Sequence, residues 1–145
     1  MTVVTLPLNR LDIQKWIPHR EPMLMLDRIT EYHSGHSITA EKIFYNEDPV
    51  AKGHFPDHPV FPGVLMIEGM AQASAVFGAF EMDGFKECLL AQVKSARFRR
   101  PVTPEETIVY QVEFKKRRQD FSWFFGRATV GSTTVAEVEF SALIR

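Results

Sequence analysis

Residues 61–84 read FPGVLMIEGMAQASAVFGAFEMDG. Pro62 suits a helix start, where its missing N–H costs little. The Asp-Gly pair at 83–84 gives a stop, so the pattern predicts one helix from about Pro62 to Phe80 or Met82. Between Val64 and Phe80 the only charged residue is Glu68. A helix apolar nearly all round must be covered on nearly all sides. The small residues Gly69, Ala71, Ala73, Ser74, Ala75, Gly78 and Ala79 let other backbone come close. Glu68, Gln72, Ser74 and two glycines interrupt the run, which also falls short of a full bilayer span, so a buried core helix is expected and no membrane.

The segments around this helix read as strands. Upstream, 23–33 and 36–45 flank a Ser-Gly turn, and LDIQKWI (11–17) reads as a short helix with Asn9 or Asp12 as its cap. NEDPVAKGHFPDHPVFPG (46–63) reads as a long proline-rich loop, a kind of segment that is often functional. Downstream, 87–100, 107–116, 121–130 and 133–144 carry strand signals. Ile108, Tyr110, Val112 and Phe114 alternate with Gln111, Glu113 and Lys115, and the same period recurs from Ala136 to Ile144. Strands, one long helix, then a run of strands argue for an α+β fold with an antiparallel sheet. One sheet curved around one helix, the hot-dog arrangement, satisfies the pattern. The 145 residues are expected to form a single domain over 1–145.

Composition narrows the function. The net charge of -1 argues against a basic nucleic-acid binder. Cys88 is the only cysteine, so neither an intrachain disulfide nor a cysteine-rich metal cluster can form. Cys88 reads as a small core residue. No HExxH motif or three-ligand cluster points to a metal. The N-terminal stretch 1–16 lacks a basic region followed by a continuous apolar run, so no signal peptide is expected and the cytoplasm is the expected compartment.

Three residues suggest chemistry. A buried carboxylate such as Glu68 is costly unless paired, and without a partner its pKa rises until it can donate a proton near neutrality. Gln72, one turn later on the same face, is placed to orient it. His54 sits in a loop stiffened by Pro56, Pro59 and Pro62, and neutral imidazole is the usual base near pH 7. The helix start at Gly63 offers free N–H groups and partial positive charge. A base, an acid and an amide donor suit proton abstraction beside a carbonyl followed by loss of a β-hydroxyl. The plainer readings are an exposed or structurally paired Glu68 and a hydrogen-bonded loop histidine at 54. His58, between Asp57 and Pro59, reads as a turn residue, and His19, His33 and His36 as structural or solvated.

The stretch GHFPDHPVFPGVLMIEGMAQ (53–72) resembles the GHFPxxPxxPGVLxxExxAQ signature of the (3R)-hydroxyacyl-acyl-carrier-protein dehydratases. PHREPMLMLDRI (18–29), KSARFRRPVTPEE (94–106) and FKKRR (114–118) resemble three further segments of that hot-dog family, so the likeness covers roughly 15 to 145. The resemblance implies a hydro-lyase of fatty acid or related lipid synthesis, needing no cofactor, whose substrate rides on the phosphopantetheine of acyl carrier protein. It implies that His54 removes the C2 proton, that Glu68 assists departure of the C3 hydroxyl, and that the Gly63 N–H holds the thioester carbonyl. It also implies a homodimer in which His54 and Glu68 come from opposite subunits, assembled further into a hexamer or paired with a paralogue. Glu68, where an isomerising branch has Asp, favours dehydration alone.

The chain departs from the pattern at PVAK (49–52), Gly69 and PEE (104–106), which leaves acyl length and pathway open. Eight of the 17 Lys and Arg residues fall in KSARFRR and KKRR, so Lys94, Arg97, Arg99 and Arg100 are candidates for docking an acidic carrier protein, against the plainer reading of a solvated face. A hot-dog thioesterase and a non-catalytic hot-dog subunit are the alternatives.

Overall fold

The computed structural model describes residues 4–145; the first three residues of the N-terminal stretch lie outside it. Its elements are α1 (Arg10–Ile13), β1 (Arg28–His33), β2 (Ser37–Ile43), α2 (Pro49–Gly53), α3 (Gly63–Met82), β3 (Cys88–Phe98), β4 (Thr107–Arg118), β5 (Phe121–Val130) and β6 (Thr133–Ile144). The strands form one six-stranded sheet in the order β1-β2-β4-β5-β6-β3, antiparallel at every pairing. The expected α+β hot-dog arrangement is what the chain adopts. The passage through α3 carries the chain across the sheet, so β3 pairs only with β6 and forms an edge.

α3 packs on one face of the sheet and touches β2 through β6. Its residues from Met70 to Phe80 are all buried. By length and composition it could cross a bilayer, but it is mostly buried inside the fold. The alternation expected in the strands faces it: Ile38 and Ala40 from β2, Ile108, Tyr110 and Val112 from β4, and Val138 and Phe140 from β6 are all buried. Phe77 stacks on Phe114 at 5.7 Å between ring centroids and meets Phe124 edge-on at 6.0 Å, which fixes the helix against β4 and β5. Gly69 allows a close approach: a Cβ there would lie 2.7 Å from the ring of Tyr110. Asp83 ends the helix in the left-handed region at φ 54°.

Three boundaries differ from expectation. Residues 23–27 do not join β1. Leu24, Met25 and Leu26 are buried in succession, which a strand with one solvated face cannot do. Met25 N–H bonds instead to the Gln72 side chain of α3. The loop 46–63 contains α2, which Asp48 caps through Val50 N and which Pro49 opens. The N-terminal helix is one turn long, with Asn9 and Asp12 forming a reciprocal capping box, and three-residue bonds at Lys15 and Trp16 then close the chain into turns.

Candidate active site

His54 stands just after α2, at its C-terminal cap. Its N–H bonds to Val50 O at 2.9 Å, and its carbonyl accepts Val60 N–H at 2.7 Å. The ring is half-buried, and Nδ1 lies 2.7 Å from Val60 O. A carbonyl oxygen can only accept, so Nδ1 carries the proton of the neutral ring. Nε2 is then left with its lone pair, the state a general base needs. Phe55 and His58 exchange both backbone hydrogen bonds, at 3.2 and 3.0 Å, and close the loop between them. His58 is therefore the turn residue its neighbours suggested.

The loop returns through Phe61, whose N–H bonds to Val102 O at 2.9 Å, and delivers Gly63 to the head of α3. Pro62 caps this end without a side-chain hydrogen bond, which leaves the first N–H groups of the helix available. The ring of Phe98 lies across Gly63, and a Cβ at 63 would sit 2.9 Å from Phe98 Cε1. Gly63, Val64 and Phe98 line an open, mainly apolar groove of about 510 Å³, with Arg99 and Arg100 at its side.

Glu68 lies one and a half turns along α3, and its side chain is 24% exposed. It is thus less buried in the single chain than the apolar run suggests. Gln72 donates to Glu68 Oε1 at 2.8 Å, as the spacing predicted. The same amide donates to Met23 O at 2.7 Å and accepts Met25 N–H at 2.8 Å. Among the described residues Glu68 forms no ion pair with His54. Its ionisable neighbour is His19, whose Nε2 is 3.9 Å from Glu68 Oε1. Burial lowers the His19 pKa, opposed by the Glu68 charge and assisted by that of Arg20. Cys88, partly buried as a core-packed thiol, is pushed up to about 12 by burial and then by Glu68, which disfavours the thiolate a nucleophile needs.

His19 was expected to be structural or solvated, and the fold half-buries it beside Glu68. It lies far from Glu68 in sequence and carries no local pattern that ties it to the helix. The only signal was its place in the segment 18–29 that resembles the dehydratases.

The four basic candidates do not form one free patch. Lys94 is 3.8 Å from Glu139 and lines a separate hollow with Lys115, Lys116 and Trp123. Arg99 is 2.7 Å from Glu137, and Arg100 makes a two-pronged contact with Glu106 at 3.1 and 3.2 Å. The Arg100 contact and the Thr103 N–H hold the Glu106 carboxyl down at about 2. Arg97 alone of the four has no ion-pair partner among the described residues. No group of three or more His, Cys, Asp or Glu side chains among the described residues is arranged to hold a metal ion.

Residues 17–139 match the family model described as the FabA-like domain. The 3-hydroxyacyl-[acyl-carrier-protein] dehydratase FabZ of Rhodopseudomonas palustris is 41% identical over 136 residues, covering 91% of this chain and 89% of that protein. The FabZ of a Sulfurovum species is 40% identical over 143 residues, covering 94% and 96%. Among solved structures, the dehydratase heterocomplex ApeI:P from Xenorhabdus doucetiae aligns at a TM-score of 0.82 and 17% identity, over 98% of this chain and 93% of that one. A hypothetical thioesterase with coenzyme A from Streptococcus pneumoniae aligns at 0.64 and 10% identity, over 81% and 84%. At such identities the two structures speak for the fold alone, which carries more than one chemistry. The sequence relatives and the family match go further: the chain belongs to the FabA-like family.

Proposed function

We propose that this chain is a hydro-lyase that converts (3R)-3-hydroxyacyl thioesters on acyl carrier protein to trans-2-enoyl thioesters and water. The observation that carries this reading is the His54 ring, tied at Nδ1 to Val60 O with Nε2 left as a base. Nε2 takes the C2 proton, and the electron pair passes toward the thioester carbonyl. The Gly63 N–H at the helix head stabilises the enolate-like oxygen. As that charge returns, the C2–C3 double bond forms and the C3–O bond breaks. Glu68, directly or through a water, supplies the proton with which the hydroxyl leaves. Proton exchange with solvent resets both groups, so the cycle balances without a cofactor.

One chain does not join the two reacting side chains, because Glu68 faces His19 and Gln72. A second copy that brings its own His54 to Glu68 completes the site. The edge strand β3 supports such a pairing. Leu89, Leu90, Val93 and Phe98 are all exposed along it, an apolar free edge that natural sheets do not leave open. Such dimers can assemble further into a hexamer, or pair with a paralogue. Arg97, with Arg99 and Arg100 beside the groove, is the expected contact for the acidic carrier protein. The expected setting is the cytoplasm, where carrier protein supplies the substrate.

Purified protein incubated with 3-hydroxybutyryl-carrier protein should lose the mass of one water from the acyl group. Absence of turnover across carrier-bound chains of increasing length, polyunsaturated ones included, would overturn the reading. Release of free thiol without water loss would assign a thioesterase instead.

A further inference from the structure

The His19 ring has no role in the elimination described so far. Its Nδ1 is buried and has no hydrogen-bond partner among the described residues. A buried N–H without an acceptor is costlier than an unused lone pair. The neutral ring therefore carries its proton on Nε2, the nitrogen that faces Glu68 Oε1 at 3.9 Å.

The backbone around this ring is held firmly. Arg20 donates to His19 O at 2.8 Å, to Ile17 O at 2.9 Å and to Gln14 O at 3.0 Å. Gln72 pins Met23 and Met25 at the other end of the segment. The ionisable groups near the ring are Glu68 from α3 and Arg20 beside it, and the Glu68 charge also acts on the Cys88 thiol of β3.

We propose that His19 is a positioning residue for Glu68, its Nε2–H joining the Gln72 amide on Oε1 so that Oε2 is the oxygen turned to the departing hydroxyl. The gap of 3.9 Å exceeds a hydrogen bond in the free chain. Contacts of this kind often tighten only when substrate binds. Two donors on one oxygen fix the carboxyl plane, and the proton the hydroxyl needs then sits on the other oxygen. This assignment rests on the dehydratase reading for its consequence and on geometry for the contact.

Two measurements test it. In the dehydration assay, His19→Phe should lower kcat about 10- to 100-fold with KM nearly unchanged, the range expected for a misplaced catalytic group. His19→Gln, whose amide reaches the position of Nε2, should recover most of that loss. Equal losses in both variants, in step with their melting temperatures, would make His19 merely structural and overturn the proposal. So would full activity in His19→Phe.

The second readout is independent of turnover. Nitrogen-15 NMR of the histidine rings should show His19 as the Nε2–H tautomer, with its titration midpoint moving down in Glu68→Gln, where the carboxylate that raises it is gone. An Nδ1–H tautomer or an unmoved midpoint would overturn the contact even if the wild-type protein dehydrates its substrate. A wild-type protein without turnover would overturn the dehydratase reading and leave the contact to be decided by the NMR alone.

Discussion

Gln72 donates to Glu68 Oε1 at 2.8 Å from one turn further along α3, and with the same side chain it holds both Met23 O and Met25 N–H. One buried amide thus sets the carboxyl and the segment that covers it. Gln72→Leu roughly keeps the volume and removes the partners of the buried Met25 N–H, the partly buried Met23 carbonyl and the Glu68 carboxylate. The expected loss is about 2–3 kcal/mol of stability, from the penalty for unsatisfied buried polar groups. Urea denaturation measures it, and kcat should fall with it because Glu68 loses its closest donor.

Phe98 leaves no room for a side chain at 63, where a Cβ would lie 2.9 Å from its ring. Gly63→Ala should cost about 1–3 kcal/mol, as overpacking does. It should also raise KM by narrowing the approach to the helix head. The double variant with Phe98→Leu should return most of the stability, and thermal melts of the four proteins close that cycle.

Glu105 holds a left-handed backbone at φ 71°, where glycine has no steric penalty. It stands at the middle of PEE (104–106), one of the places where the chain departs from the dehydratase pattern. Glu105→Gly should relieve about 1 kcal/mol of backbone strain. It also removes the carboxylate that accepts Asn46 N–H at 3.0 Å. Glu105→Asn, which tolerates the same region, separates the two effects in a denaturation series.

The Glu106 carboxyl is held at about 2 by Arg100 and by Thr103. Its folded pKa lies below that of the unfolded chain. Its contribution to stability is therefore full above the ordinary carboxylate range, falls as pH drops from there to about 2, and is absent below. Glu106→Gln should flatten the stability profile in that acid window and lower stability at neutral pH. The pair is partly solvated, so added salt should weaken the difference. Denaturation from neutral to acid pH, at low and high salt, shows it.

The parts of this fold that were legible in the sequence are those with an unbroken period. α3 announced itself by an apolar run with Pro62 before it and Asp83–Gly84 after it, and β4 and β6 by strict alternation. What escaped reading depends on contacts between distant segments. Residues 24–26 look like a strand but are buried in succession under α3 and bonded to Gln72. α2 is five residues long, too short for a period, although Asp48–Pro49 is a sound start signal. Gln72 was legible as the orienter of Glu68 because helical spacing alone brings them together. His19 was not, because only the fold carries it to the carboxyl.

The proposed dimer joins His54 of one chain and Glu68 of another in a single elimination site. His54→Ala and Glu68→Gln should each be inactive as purified homodimers. Co-expressed and assayed on 3-hydroxybutyryl-carrier protein, the two should regain activity. Half of randomly formed dimers are mixed, and each mixed dimer holds one intact site of two, so about a quarter of wild-type turnover is expected. Mixed dimers that form, as mass spectrometry would show, yet remain without turnover would contradict the shared site.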